Sequence, residues 1–241
     1  MLLKTKGNQL RMLVDQGEAD NFLIKELKPE ELIENVLVSG NCANISNITS
    51  LVNGNPTDLT TKSYGYFKRL PGSTFPFEEG IILTTGNAFS TTNGPSALNN
   101  PSTGVSDFDL NQIIDPNTAF TDATVFEFDF TPSSDTINFR YLMASEEYEN
   151  NYPCLYSDSF AFLLKVAGTA DYENIALVPG TTTPVSVTSV HPGVDLNGNG
   201  IGCGPQNEDY FEGYNLGDTN FNGRTTILNA TATVIPNKKY H

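Results

Sequence analysis

The chain has 241 residues, of which 38% are hydrophobic, and a formal net charge of −15 at pH 7. This length supports one substantial hydrophobic core. Nucleic acid is excluded as an expected partner, because neutralising phosphates requires clustered Lys and Arg. Between Arg69 and Lys238 the basic residues are only Arg140, Lys165 and Arg224. An acidic, amide-rich surface suits divalent cations, so Ca²⁺ is the expected ion.

The N-terminal part of the chain predicts little regular structure and no membrane segment. Residues 1–28 mix charged with scattered apolar residues, and we interpret them as a weakly structured leader. They lack the continuous apolar region of an export signal, and no later stretch is long enough to span a bilayer. The sequence thus predicts no membrane insertion by this chain. The missing signal indicates either a cytosolic protein or an incomplete or wrongly chosen N-terminus.

One short helix is predicted next, and β structure follows it. Pro29, with Glu30 and Glu31 behind it, is typical of a first helical turn. From Val36 onward, short β-branched or aromatic runs alternate with Gly, Pro, Asn and Asp clusters, which is typical of strands joined by turns. The predicted strands are 80–85, 124–130, 136–143, 159–166, 185–190 and 225–234, with a second short helix at 107–114.

The alternation within residues 124–130 indicates how the strands assemble. Phe126, Phe128 and Phe130 face one side, while Val125, Glu127 and Asp129 face the other. Such alternation is typical of an antiparallel sheet with one solvated face. The chain therefore predicts an all-β fold, an antiparallel β-sandwich or jelly roll with one or two short helices. The sequence predicts that a further strand begins at residues 239–241, so we expect a missing C-terminal strand and an unpaired sheet edge.

Several of these stretches resemble the choice-of-anchor L domain family. They are LVSGNCANISNIT, SYGYF, FPFEEGIILTTGNA, ATVFEFDFTPSSDTINFRYLMASEEY, SDSFAFLL, NIALVPGTTTPVSV and TTILNATATV, followed by KYH. The resemblance implies a domain over residues 29–241 that normally continues past the final Tyr-His pair. It also implies a secreted or cell-surface protein of Bacteroidetes with a role in adhesion and no established enzymatic activity. The N-terminal leader departs from the family pattern, in which a signal peptide is expected.

Cys154 and Cys203 form the candidate disulfide. Both lie in polar, loop-like surroundings, where a bridge is useful in an oxidising compartment. Free cysteines are the alternative, since sequence does not fix connectivity. Cys42 would then be left over, and the spacing of the three cysteines argues against zinc.

The stretch Asp195, Asn197 and Asn199, followed by Gly200, matches the opening of a calcium-binding loop. Alternate side chains in such a loop turn oxygen atoms inward, and the glycine permits the sharp turn. The twelfth position is Gln206 instead of the usual Glu, and an ordinary Gly/Asn surface turn is the alternative. The three residues are candidate calcium ligands.

A second acidic group ends one predicted strand and begins the next. Glu146 and Glu147 precede Asp158, and adjacent strands would bring them to one rim of the sheet. Glu147 with Asp158 is a candidate calcium pair. Alternatively, Glu146 or Glu147 with Asp158 would serve as the acid and base of a glycoside hydrolase, although the chain has no Trp for a sugar platform. A solvated loop is the third interpretation.

Three hypotheses for function follow. The chain has two histidines and no nucleophile motif, so we expect no catalytic residues and no enzyme. The leading hypothesis is an extracellular binding or adhesion module that recognises a surface glycan or protein and is stabilised by calcium. A carbohydrate-active hydrolase and a structural spacer without a ligand are the alternatives.

Overall fold

The computed structural model describes residues 2–4, 22–38, 42–91, 103–114, 116, 120–195 and 202–241. These ranges carry short strands and two short α-helices. The helices are α1 (Pro29–Leu32), which continues as a π-helical turn over Ile33–Leu37, and α2 (Phe108–Ile114). The strands are β1 (Leu2–Lys4), β2 (Phe22–Lys25), β3 (Ala43–Leu51), β4 (Tyr64–Arg69), β5 (Glu79–Leu83), β6 (Val125–Pro132), β7 (Thr136–Leu142), β8 (Ala144–Ser145), β9 (Leu163–Leu164), β10 (Glu173–Asn174), β11 (Val194–Asp195), β12 (Gly202–Cys203), β13 (Phe211–Tyr214), β14 (Gly223–Thr225) and β15 (Leu228–Thr233).

The main layer is a six-stranded antiparallel sheet in the order β15-β7-β1-β5-β4-β2. Two of its strands, β1 and β2, fall within residues 1–28, where the sequence predicts a weakly structured leader. The structure differs there because a strand of three or four residues is held by its neighbours and carries no periodic signal of its own. Strand β1 lies between β5 and β7, so it contributes to the middle of the sheet.

A second layer covers one face of this sheet. Strand β6 pairs with β3, and residues 239–241 run along its other edge at Phe130. The layers meet through aromatic rings: Phe126 lies 5.1 Å from Tyr64 of β4, and Phe162 stacks 4.9 Å from Phe139 of β7. Phe126, Phe128 and Phe130 all pack in the core, as their alternation predicts. The all-β, antiparallel sandwich predicted from the sequence is confirmed.

Both predicted helices are present. Pro29 opens α1, and the backbone N–H of Lys28 donates to the Glu31 carboxylate. Asp107 caps α2 by accepting a hydrogen bond from the Leu110 N–H. No helix within the described ranges is both long and apolar enough to cross a membrane.

Two predicted strands form only in part. Within residues 159–166 the structure has β9 and isolated bridges at Ser159 and Val166. Residues 185–190 pair only at Ser186, which bridges to Ser159, and then turn, because the Ser189 hydroxyl accepts a hydrogen bond from the Ser186 N–H and donates one to the Pro184 carbonyl. Local side-chain bonds of this kind compete with a strand ladder. The apolar side chains of Val185, Val187 and Val190 are nevertheless fully buried.

Candidate functional site

A cleft of about 1120 Å³ opens between the two layers and is the candidate site. Its walls are strongly aromatic and acidic. The aromatic lining residues are Phe120, Phe126, Phe128, Phe130, Phe139, Tyr156, Phe160, Phe162, Tyr172 and Phe221. The acidic ones are Asp107, Asp109, Asp122, Glu127, Glu147 and Asp158, and no Lys or Arg is found among the described residues of the lining. Such a cleft disfavours anionic ligands.

Glu147 and Asp158 meet at the rim of this cleft. The Asp158 backbone N–H donates to Glu147 Oε2 over 3.0 Å, and the Ser145 hydroxyl donates to Asp158 Oδ2 over 2.6 Å. The Glu147 N–H in turn donates to the same Ser145 hydroxyl. Strand β8 positions Ser145 through its pairing with β14. The structure therefore places together the two acids that the sequence proposes as a pair.

The environment of the pair favours a protonated Glu147. Burial raises the pKa of the Glu147 carboxyl to about 7, with the Asp158 charge adding to the rise and the Asp158 N–H opposing it. The pKa of Glu146 is also raised, by partial burial and then by repulsion from Asp158 and Glu149. The backbone carbonyl of Glu146 accepts a hydrogen bond from the Asn222 side chain. At neutral pH the Glu147 carboxyl is thus near its titration midpoint.

The second predicted calcium site is only partly described. Asp195 lies in β11, exposed and paired with Gly202 of β12, whereas Asn197 and Asn199 lie outside the described residues. Within the described part of the chain, no group of three or more His, Cys, Asp or Glu residues is arranged to hold a metal ion. Calcium binding at either place stays a prediction.

A disulfide joins Cys154 to Cys203, the pair that the sequence singles out, with their Cα atoms 5.7 Å apart. It ties the turn Tyr152–Cys154 to β12. This turn and the chain leaving it present three apolar side chains to solvent, with exposed fractions of 39% for Tyr152, 61% for Leu155 and 54% for Tyr156. We call these three residues the tyrosine rim.

The tyrosine rim was missed by sequence reasoning. Its two rings lie 5.4 Å apart in an edge-to-face arrangement, and Leu155 and Tyr156 line the cleft beside Glu147 and Asp158. The chain has no Trp, the ring expected of a sugar platform, and the two tyrosines supply aromatic rings in its place. The signal available was the pair of tyrosines flanking Cys154, which does not by itself say whether the rings are buried or exposed.

Comparison with known proteins gives one finding. A family model described as the Choice-of-anchor L domain matches residues 18–241. No curated protein and no solved structure is significantly similar to the chain.

Proposed function

The chain belongs to the choice-of-anchor L domain family, and from that premise we propose that it is a binding module that recognises a surface glycan at the tyrosine rim. The family suggests a surface-associated, non-enzymatic module and is not a known enzyme family. Choice-of-anchor domains are typically found on secreted or surface proteins. The adhesive role and the glycan ligand are proposed here.

The observation that supports a glycan is the position of two exposed tyrosines beside two acids. Tyrosine rings offer flat apolar faces with a polar edge, which fit the alternating C–H and O–H surfaces of a sugar. The Asp158 carboxylate accepts hydrogen bonds from hydroxyl groups, and a protonated Glu147 donates one. The acidic lining and the net charge of −15 favour a neutral sugar over a sulfated or uronic one.

Binding to an array of neutral and acidic glycans tests this proposal. We expect neutral glycans to bind and the Tyr156→Ala substitution to weaken binding by roughly tenfold, about 1.4 kcal/mol. Tyr214→Ala is the matched control, because Tyr214 is similarly exposed at 46% and does not line the cleft. If no glycan binds, or if both variants lose affinity equally, the rim is not the site and the spacer hypothesis gains support.

A glycoside hydrolase is the second candidate, and the raised pKa of Glu147 is the observation in its favour. A carboxyl with a pKa of about 7 beside a carboxylate is the arrangement that a general acid and its partner require. The same glycan panel separates the two functions. A hydrolase releases reducing sugar and loses turnover in Glu147→Gln, whereas a binding module releases none.

Calcium remains part of the proposed function as a stabilising ion. Glu147, Asp158 and the Ser145 hydroxyl supply hard oxygen atoms within one hydrogen-bonded group. Asp195, with Asn197 and Asn199, is the second proposed place. Because a cation requires ionised carboxylates, binding at the Glu147 site should strengthen as the pH rises through about 7 and level off above it.

A further inference from the structure

The Cys154–Cys203 disulfide is in contact with a buried histidine. The His191 side chain belongs to a residue only 1% exposed, and its Nε2 lies 3.9 Å from Cys203 Sγ. His191 and Gln206 exchange two backbone hydrogen bonds, and Val194 pairs with Cys203 in the ladder of β11 and β12. Backbone pairing therefore holds the imidazole ring against the sulfur.

The hydrogen bond at the other ring nitrogen decides which nitrogen carries a proton. Nδ1 of His191 lies 2.8 Å from the Pro192 carbonyl oxygen, which can only accept a hydrogen bond. Nδ1 therefore carries the hydrogen, and in the neutral ring Nε2 keeps a lone pair on the side of Cys203 Sγ. A sulfur within a disulfide has no hydrogen to donate. The contact becomes a hydrogen bond when Cys203 is reduced to a thiol.

The bridge is within reach of small molecules. Both cysteines are half-buried, and each is followed in the chain by an exposed residue, Leu155 and Gly204. The two sulfurs differ in their surroundings, because the buried His191 ring covers one side of Cys203, whereas Cys154 directly precedes a residue that is 61% exposed. An incoming thiolate therefore reaches Cys154 more readily. Cys203 is then the sulfur that leaves.

The charge of the chain around the bridge determines which thiol is favoured. No Lys or Arg occurs in residues 141–164 or 166–223, the two segments that contain the two cysteines. Asp195 pairs with Gly202, which directly precedes Cys203. Charges within about 10 Å of one another interact at ordinary ionic strength. An acidic surrounding of this kind repels an anionic thiol and attracts a cationic one.

We propose that the Cys154–Cys203 bridge is a thiol–disulfide exchange site for small cationic thiols, with His191 as the group that moves the proton. The incoming thiolate attacks Cys154 Sγ and forms a new S–S bond there. The old S–S bond breaks, and its electron pair leaves on Cys203 Sγ, which takes a proton from the imidazolium form of His191. In the reverse direction neutral Nε2 accepts the Cys203 thiol proton, and the resulting thiolate attacks Cys154 and expels the small thiol. The proton that His191 delivers comes from solvent and returns to it.

Two thiols of opposite charge test the proposal on the folded, oxidised full chain carrying Cys42→Ser, since Cys42 lies outside this bridge. 2-Aminoethanethiol is the cationic probe and 2-mercaptoethanesulfonate the anionic one. Thiols are blocked with N-ethylmaleimide at set times, and peptide mass spectrometry locates each adduct. Each rate is divided by the rate of the same thiol with a small uncharged disulfide. At low ionic strength we expect the cationic thiol to react roughly tenfold faster, with the adduct mainly on Cys154 and maleimide on Cys203. Equal rates, no adduct on the folded protein, or an adduct mainly on Cys203 would overturn the proposal.

Two variants separate proton transfer from a loosening of the structure. His191→Gln keeps a polar side chain but takes up no proton, and we expect both adduct formation and re-closure of the bridge to slow roughly tenfold. Tyr148→Phe is the matched control, because it removes the hydrogen bond from the Tyr148 hydroxyl to the Val190 carbonyl, next to His191, and leaves the imidazole in place. Its rates should stay within about twofold of the parent. Equal effects of the two variants would show that His191 acts through packing alone.

A melting curve for each variant verifies the fold. The charge preference and the adduct position are measured with His191 intact, so they test the exchange site even if a His191 variant does not fold. Neither measurement uses a glycan. The exchange site and the proposed glycan function can therefore succeed or fail separately.

Discussion

Among the acidic residues of the cleft, Glu147 has surroundings that differ clearly from bulk water. It lies in the cleft wall, receives one hydrogen bond from the Asp158 backbone, and faces the Asp158 charge. Burial and repulsion outweigh that hydrogen bond, so its carboxyl stays protonated well above the range of an exposed Glu. Its protonation state therefore changes within the ordinary pH range.

The Glu147→Gln substitution should change how the free energy of unfolding depends on pH. A pKa raised from 4.5 to about 7 on folding stabilises the protein fully below pH 4.5, and this stabilisation is lost as the pH rises to about 7. We expect the wild-type advantage over Glu147→Gln to fall by about 2 kcal/mol between pH 4.5 and pH 8, since one pKa unit is about 1.4 kcal/mol and solvent screens part of the effect.

Urea denaturation of both proteins across this pH range provides the measurement. The difference between the two curves cancels the titration of every group that they share. Glu149→Gln serves as a control at an exposed carboxylate of the same turn. Parallel wild-type and Glu147→Gln curves would show that Glu147 titrates as an exposed residue.

The sequence predicted contacts between single residues correctly where closeness along the chain was sufficient to bring them together. Glu147 and Asp158 are eleven residues apart in the chain, and a shared sheet rim was enough to bring them together. It failed for Tyr152 and Tyr156, because an aromatic residue near a cysteine is as compatible with the core as with the surface. Exposure depends on where the Cys154–Cys203 bridge holds the turn.

At the scale of elements, the disulfide connects two short pieces that are far apart in the chain. The turn Tyr152–Cys154 has three residues and β12 has two. The bridge spans a sequence separation of 49 residues. Closing such a loop lowers the entropy of the unfolded chain, and the tyrosine rim is carried on the same turn.

Replacing both Cys154 and Cys203 by Ser should lower the free energy of unfolding by about 2–4 kcal/mol. Glycan affinity should fall as well, because the turn that carries Tyr152 and Tyr156 loses its tie to β12. Thermal melting and array binding give the two readouts. Cys42→Ser is the control, since Cys42 is exposed and lies outside this bridge. Retained glycan affinity in the double variant would show that the rim does not depend on the disulfide.

The strand predictions were accurate where apolar and polar residues alternate clearly and where a neighbouring strand is present. Strands β6, β7 and β15 follow the predicted positions because alternating residues meet a paired partner on at least one edge. Residues 159–166 carry an equally clear pattern but pair only in places. A sequence pattern reports which side chains prefer burial, whereas a strand also requires a hydrogen-bonded neighbour.

For the whole molecule, the concentration of negative charge is the dominant electrostatic fact. A net charge of −15 on 241 residues destabilises the compact state through self-repulsion, and divalent cations relieve it. The all-β class follows from the periodicity of the sequence. The contribution of β1 and β2 to the main sheet does not, since segments this short are selected by the sheet that accepts them.

Calcium should raise the melting temperature of chelator-treated protein. With free calcium about 100-fold above the dissociation constant, linkage gives about 2.7 kcal/mol, which corresponds to roughly 5–10 °C for a domain of this size. Asp158→Asn should abolish the shift if the ion binds beside Glu147. Asp195→Asn should abolish it if the ion binds at the loop that begins with Asp195. Differential scanning calorimetry with magnesium as the control provides the measurement. An unchanged curve would remove calcium from the proposed function.

Residues 239–241 lie between β6 and residues 165–167 and run antiparallel to both. Phe130 and Tyr240 exchange two backbone hydrogen bonds, and Lys165 and His241 exchange two more. A three-residue segment therefore holds two parts of the second layer together. A substitution that weakens these bonds should release both parts at once and change the width of the cleft between the layers.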